Sequence, residues 1–292
     1  MRMAAKTAAR VAAATAGKAG AGRLERPDGP VKAAVNALRD DAKDREALMN
    51  VYITDGSEEC FYAAAFRACT DKGCLVTSAK TFQPPLGARM LEVAAEADKA
   101  ERVRAKLRAL DGRALRDISL ILQRSCDTRE MTALNYLRLI VAEGGPVRGQ
   151  MAHPAVIEAL AERKKVTLEA HRFTGFLRFM EGENGVYYAP FAPDNDILEL
   201  ILPHFLRRFA SQPFVIHDTS RRKAALYNTK DCIVTQTEEK VSVALSSYEA
   251  AFQALWKDYY AAVTVAQRPN ERQMKGYMPV RYWKFMPEKQ EP

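Results

Sequence analysis

Apolar positions along the chain follow two rhythms, a helical one in the first half and a two-residue one in much of the second. Val51 to Thr54 combines β-branched and aromatic residues that suit a pleated, half-buried surface, and predicts a short strand. Asp55-Gly56-Ser57 is a turn in which Asp55 or Ser57 can cap a following helix. Glu58 to Cys69 reads as that helix, with Phe61, Ala65, Phe66 and Cys69 on one face. Cys74 to Ser78 is a second strand candidate, and Gln83-Pro84-Pro85 interrupts any regular element. Three helices follow over Ala94–Leu110, Arg113–Ser125 and Arg129–Glu143, the first striped by Val103, Leu107 and Leu110. Gly144-Gly145-Pro146 stops the third. A fourth begins near Pro154, a residue suited to the first helical position, and runs to about Phe173, with Gly175 available to end it.

The period then shortens to two. Phe176–Met180 and Val186–Phe191 flank Gly182-Glu183-Asn184-Gly185, a hairpin signal. Pro193-Asp194-Asn195 opens a helix over about Ile197–Phe209, with a kink or restart expected at Pro203. Strands are predicted at Phe214–His217, Lys223–Tyr227 and Cys232–Thr235, then a long helix over Ser247–Val265 carrying Phe252, Trp256, Tyr259 and Tyr260. From Arg268 the chain reads as irregular. The fold class predicted is α+β: a helical N-terminal half with a short strand, then an antiparallel ββαβββ-type sheet packed by helices. Residues 49–292 are expected to form one domain, with a mainly helical part (49–150) and a sheet-containing part (151–292) closed by a C-terminal clasp.

Composition narrows the setting. A hydrophobic fraction of 48% is ordinary for a packed core, and no apolar run is long enough to cross a bilayer. The five cysteines fall in no CxxC pair, so reduced thiols packed as small hydrophobes in a cytoplasm are the plain expectation. Residues 1–48 hold ten basic and six acidic side chains and read as a basic, Ala-rich arm, disordered or partly helical. Three readings of its first 30 residues stay open: a cationic arm, an organellar transit peptide, or upstream sequence translated from a misplaced start ahead of Met49. The net charge of +8 makes an anionic partner plausible without specifying one.

Candidate chemistry is sparse. His153, His171, His204 and His217 are the chain's four histidines, and no two have the i, i+4 spacing of a helical metal site. His153, His171, His204 and Asp218 are the candidate catalytic groups. No metal centre and no bound cofactor are predicted, and no glycine-rich phosphate loop is present. Basic and aromatic residues are more telling. Arg172, Arg178, Arg208, Arg221 and Arg222 surround the predicted sheet, and Arg272, Lys275, Arg281 and Lys284 alternate with Tyr282 and Trp283 near the C-terminus. Cations track phosphates while aromatic faces stack on unpaired bases. The competing reading of Tyr282-Trp283 is a clasp packed on the core.

Several stretches carry a resemblance. They are Val51–Ser57, Ala152-His153-Pro154-Ala155-Val156, His171–Phe179, Pro193–Ile197, Pro203-His204-Phe205 with Arg208-Phe209, and Asn270 through Met278-Pro279-Val280-Arg281-Tyr282-Trp283-Lys284. In this order they resemble a bacterial family described as DNA metabolism or DNA repair proteins, whose domain has no assigned function. Phe214 stands where that family has Trp, and residues 1–48 have no counterpart in its usual pattern. The resemblance implies a neighbour, since members are typically encoded beside a radical-SAM protein assigned to DNA modification or repair. A similar domain also occurs joined to UdgX-type uracil-DNA-glycosylase domains.

Three functions are therefore expected to compete. The leading one is a cytoplasmic nucleic-acid-binding accessory protein in DNA repair or modification, with DNA or RNA and a radical-SAM protein as partners. The second is a glycosylase, nuclease or base-modifying enzyme. The third is a protein-interaction subunit without nucleic-acid contact.

Overall fold

The computed structural model describes residues 49–79, 82–237, 243–264 and 270–290. The expectations for residues 1–48 lie outside these. The fold is α+β, with a largely helical first half and a five-stranded sheet in the second.

In the first half, β1 (Asn50–Ile53) leads into α1 (Glu58–Ala68), whose first turn is capped by the Ser57 hydroxyl accepting from the Cys60 amide at 3.1 Å. β2 (Leu75–Thr77) pairs with one edge of β1 and β3 (Arg89–Glu92) with the other, both parallel. The first half thus holds a small parallel sheet of order β2-β1-β3 where a short strand was expected. Helices α2 (Ala97–Leu110), α3 (Ala114–Leu122) and α4 (Arg129–Glu143) complete the layer. Gly144, at φ +67°, ends α4 in the left-handed conformation that glycine adopts without a Cβ penalty. Phe61, Tyr62, Leu107, Ile118, Tyr136 and Leu137 fill this first core.

Helix α5 (Pro154–Phe176) belongs to both halves. Val156 and Ala159 pack in the first core, and Val166 and Phe173 in a second one. It runs through Gly175, so the expected strand from Phe176 shrinks to β4 (Met180–Glu181). A hairpin with Gly185 at φ +72° joins β4 to β5 (Tyr187–Phe191). Then follow α6 (Leu198–Arg208), β6 (Phe214–Asp218), β7 (Lys223–Tyr227) and β8 (Cys232–Gln236).

The chain order is ββαβββ as expected, and the strands lie side by side as β4-β5-β6-β7-β8, but the sheet is mixed. β5 and β6 run parallel, pairing Tyr187 with Phe214 and Phe191 with Asp218. The reason is connectivity: α6 carries the chain back along the sheet, and a helical crossover returns a strand in the same direction. The other pairs are antiparallel, as tight turns require. Pro203 does not split α6; the helix passes through it with the ring exposed.

After α7 (Glu249–Val263), the segment expected to be irregular is helical: α8 (Glu271–Tyr277), then 3₁₀ turns at Val280–Phe285 and Pro287–Lys289. Tyr282 and Met286 from these turns enter the second core with Phe173, Phe191, Phe205 and Phe214.

Candidate nucleic-acid interface

Two separate polar arrangements emerge from the residues singled out in the sequence. One is an internal joint. Glu169 of α5 is 3% exposed. Its Oε1 accepts from the Asp194 amide and the Tyr282 hydroxyl, both at 2.9 Å. Its Oε2 accepts from the Asn195 amide at 2.9 Å and the Asn195 side chain at 2.6 Å. Asn195 Oδ1 in turn receives Arg124 and the Ser125 amide. Arg281 pairs with Asp194 at 2.8 Å and lies over the Tyr282 ring. Burial, together with the Glu169 charge, pushes the Tyr282 hydroxyl up to about 12. Tyr282 is therefore a clasp residue with its ring inside the core.

The end of β6 closes the same joint. Asp218 is fully buried, and its Oδ1 caps the turn by accepting from the Ser220 and Arg221 amides. Arg221 donates to Asp218 Oδ2, to the carbonyls of Pro193 and Asp194, and to Ser125 Oγ. Burial raises the Asp218 carboxyl and the Arg221 guanidinium partly counters it. Both side chains are occupied in holding the Pro193–Asn195 loop.

The histidines do not gather. His153 is exposed and caps α5, its Nδ1 accepting from the Ala155 amide at 3.2 Å. His171 is exposed on the same helix, 18 residues or about five turns further on. His204 is half-buried on α6, edge-on to Phe205. His217 is buried on β6, with Nδ1 2.8 Å from the Tyr188 hydroxyl and Nε2 3.3 Å from Thr237 Oγ1. Burial lowers its pKa, against a smaller opposing pull from Asp218, so the ring favours the neutral form. Asp218 follows it in the strand and so points to the opposite face. Among the described residues no group of three His, Cys, Asp or Glu side chains is placed to hold a metal ion.

The second arrangement is a cleft of about 870 Å³ between the C-terminal ends of α5 and α6, strand β4 and helix α7. Phe252, Trp256 and Tyr259 of α7 supply one wall, and Phe179, Tyr187 and Phe209 lie opposite. Two of the basic residues singled out in the sequence, Arg178 and Arg208, line it. Arg178 donates to Glu288 at 2.6 and 3.2 Å and sits 5.1 Å from the Trp256 ring centre, which fixes the indole. Arg208 is exposed and makes no ion pair among the described residues; its guanidinium lies 5.9 Å from the Phe209 ring centre. Phe252 and Tyr259 are 56% and 55% exposed, unusual for large aromatics.

The remaining cations are dispersed. Arg172 donates to the Gly276 carbonyl and ties α8 to α5. Lys275 pairs with Glu271 on α8, where Arg272 is exposed. Arg222 is exposed in the β6–β7 turn at φ +53°. Lys284 is exposed over Phe285. Trp283 is half-buried, its indole N–H donating to the Met278 carbonyl at 3.1 Å. The α7 aromatics are evident in the sequence, but nothing local there assigns them to a site. Their excess over what one buried helix stripe needs was the available signal.

An α+β fold with an aromatic cleft flanked by cations is thus the class of molecule at hand. The family model for a domain of unknown function, DUF4130, matches residues 127–288, which is more than half of the chain, and the protein belongs to that family. A search of curated proteins and a search of solved structures each returned no significant match. Among the described residues no helix is long and apolar enough to cross a membrane.

Proposed function

We propose that the protein is a nucleic-acid-binding accessory factor in DNA repair or modification, working beside a radical-SAM enzyme that performs the chemistry. The observation that carries this reading is the cleft: exposed aromatic faces beside an exposed arginine are the combination that single strands use for stacking and phosphate contact. The net charge of +8 and the resemblance to DNA metabolism proteins support it. The test is equilibrium binding of labelled single- and double-stranded DNA and RNA across a salt series. Affinity should fall with salt, with a log–log slope of about −0.7 for each phosphate neutralised on a single strand. Absent or salt-independent binding would remove the reading.

A second reading draws on α7 itself. Tyr248 and Val263 extend its exposed apolar face beyond the cleft, at 71% and 54% exposure. That face favours a protein-interaction subunit, and co-purification of the radical-SAM protein without nucleic-acid affinity would support it.

A further inference from the structure

The cleft is charged in a way that orients a guest, an inference resting on the nucleic-acid reading of this same site. Two carboxylates line it, Glu181 and Glu249, and both are more buried than Arg208. Glu249 is 6% exposed and fully engaged: Oε2 accepts from the Glu181 amide at 2.9 Å and Oε1 from Gln253 Nε2 at 2.9 Å. Glu181 is half-buried, and the one hydrogen bond to its carboxylate among the described residues is a long 3.5 Å contact from Ser246 Oγ. It retains acceptor capacity inside the cleft. Arg208, and Arg207 beside it, are exposed at the C-terminal end of α6, and neither forms an ion pair among the described residues. A phosphate is thus repelled from the interior and attracted at the rim. An uncharged planar ring meets aromatic faces and, in Glu181, a carboxylate that forms no ion pair among the described residues.

We propose that the cleft receives an unpaired, amino-bearing base of a nucleic-acid strand. Its ring lies against the α7 aromatics, its exocyclic amine donates to Glu181, and its phosphates stay outside on Arg207 and Arg208. Cytosine, adenine and guanine carry such an amine. Thymine and uracil do not, and place a carbonyl where cytosine has its amine, setting lone pairs against the carboxylate. A paired base has its edge engaged and its faces covered, so duplex is excluded. The volume lies within the range of about 300–1,000 Å³ typical of ligand pockets and leaves room for the sugar and a neighbouring base.

The chain's two tryptophans, Trp256 and Trp283, make the test direct. Twelve-residue oligo-dC, oligo-dT and the dC·dG duplex are titrated against the full-length protein, following tryptophan emission and, separately, anisotropy of an end label. Oligo-dC should quench emission and bind about tenfold more tightly than oligo-dT, the scale of one hydrogen bond to a charged acceptor. Quenching should vanish in Trp256→Phe and with duplex. Glu181→Gln, whose amide both donates and accepts, should bring the dC and dT affinities together. Arg207→Ala with Arg208→Ala should weaken both strands and keep their ratio. Equal affinity for dC and dT, or quenching that persists in Trp256→Phe, overturns the inference. If anisotropy shows oligonucleotide bound with no change at Trp256, the base lies elsewhere and only this inference fails. If no oligonucleotide binds at all, the nucleic-acid reading fails with it.

Discussion

At Glu169 two oxygens receive four donors, which join α5, the Asp194-Asn195 loop and the C-terminal Tyr282. Removing that acceptor strands each donor in a buried place, at about 1–3 kcal/mol apiece before relaxation. Glu169→Ala is therefore expected to lower stability by about 3–5 kcal/mol, and Tyr282→Phe, which removes one of the four donors and the acceptor of a 3.1 Å bond from Arg281, by about 1 kcal/mol. Urea denaturation with an unchanged m-value would check both; losses equal in the two variants would contradict the joint. Asp194, Asn195 and Tyr282 were legible as parts of separate motifs. Glu169 was not, because a lone carboxylate on a charged helix reads as solvated, and its partner Tyr282 lies 113 residues away. The same limit explains Asp218 and Arg221. Their types suggested a site edge, whereas their geometry spends their contacts on each other, on the β6–β7 turn, on Ser125 and on the carbonyls of Pro193 and Asp194.

Among the elements, those with a strong apolar period were readable from sequence, and those held by backbone pairing or by side-chain anchors were not. β3 is mostly exposed and offers no alternation; its pairing to β1 is made by backbone groups. The 3₁₀ turns are too short to show a stripe, and Pro279 and Pro287 read as breakers although proline suits the start of such turns. The last turn, Pro287–Lys289, is anchored by Glu288 on Arg178. Burial works to raise the Glu288 carboxyl, but Arg178, with help from the Glu288 backbone amide, more than offsets it and holds the group below its ordinary 4.5. A depressed carboxylate contributes stability that is full above the ordinary value and is lost as pH falls through the folded one. Acidification below about pH 4.5 should thus release this turn and unfix Trp256. The tryptophan emission should shift there in the wild type, and Glu288→Gln should already show the shifted emission at neutral pH. An emission profile identical in the two proteins would sink the idea.

Across the whole of residues 49–290, two cores share one long helix, α5, and one shorter helix, α3, which sends Ile118 and Ile121 into the first core and Leu120 into the second. Arg124, just past α3, reinforces the junction by binding both Glu162 of α5 and Asn195. The α+β class and the ββαβββ succession of elements along the chain were legible from its change of period. The parallel β5–β6 pairing was not, since a pattern of alternating residues is the same for either strand direction. The cleft was legible only as ingredients: arginines in one set of motifs and aromatics in a helix some 50–80 residues later, with nothing local to say they would face each other.

The family match begins at residue 127, just before α4. The buried face of α4 carries Ala133, Leu134, Tyr136, Leu137 and Ile140, and it packs against residues from before that boundary, among them Phe61, Leu107 and Ile118. In this chain the matched segment is therefore only part of a packed core. A fragment of residues 127–288 made alone should bind a hydrophobic dye and aggregate, whereas the chain from Met49 should do neither. Any attempt to graft the shared segment onto another protein would have to bring β1 to α3 along as its missing half.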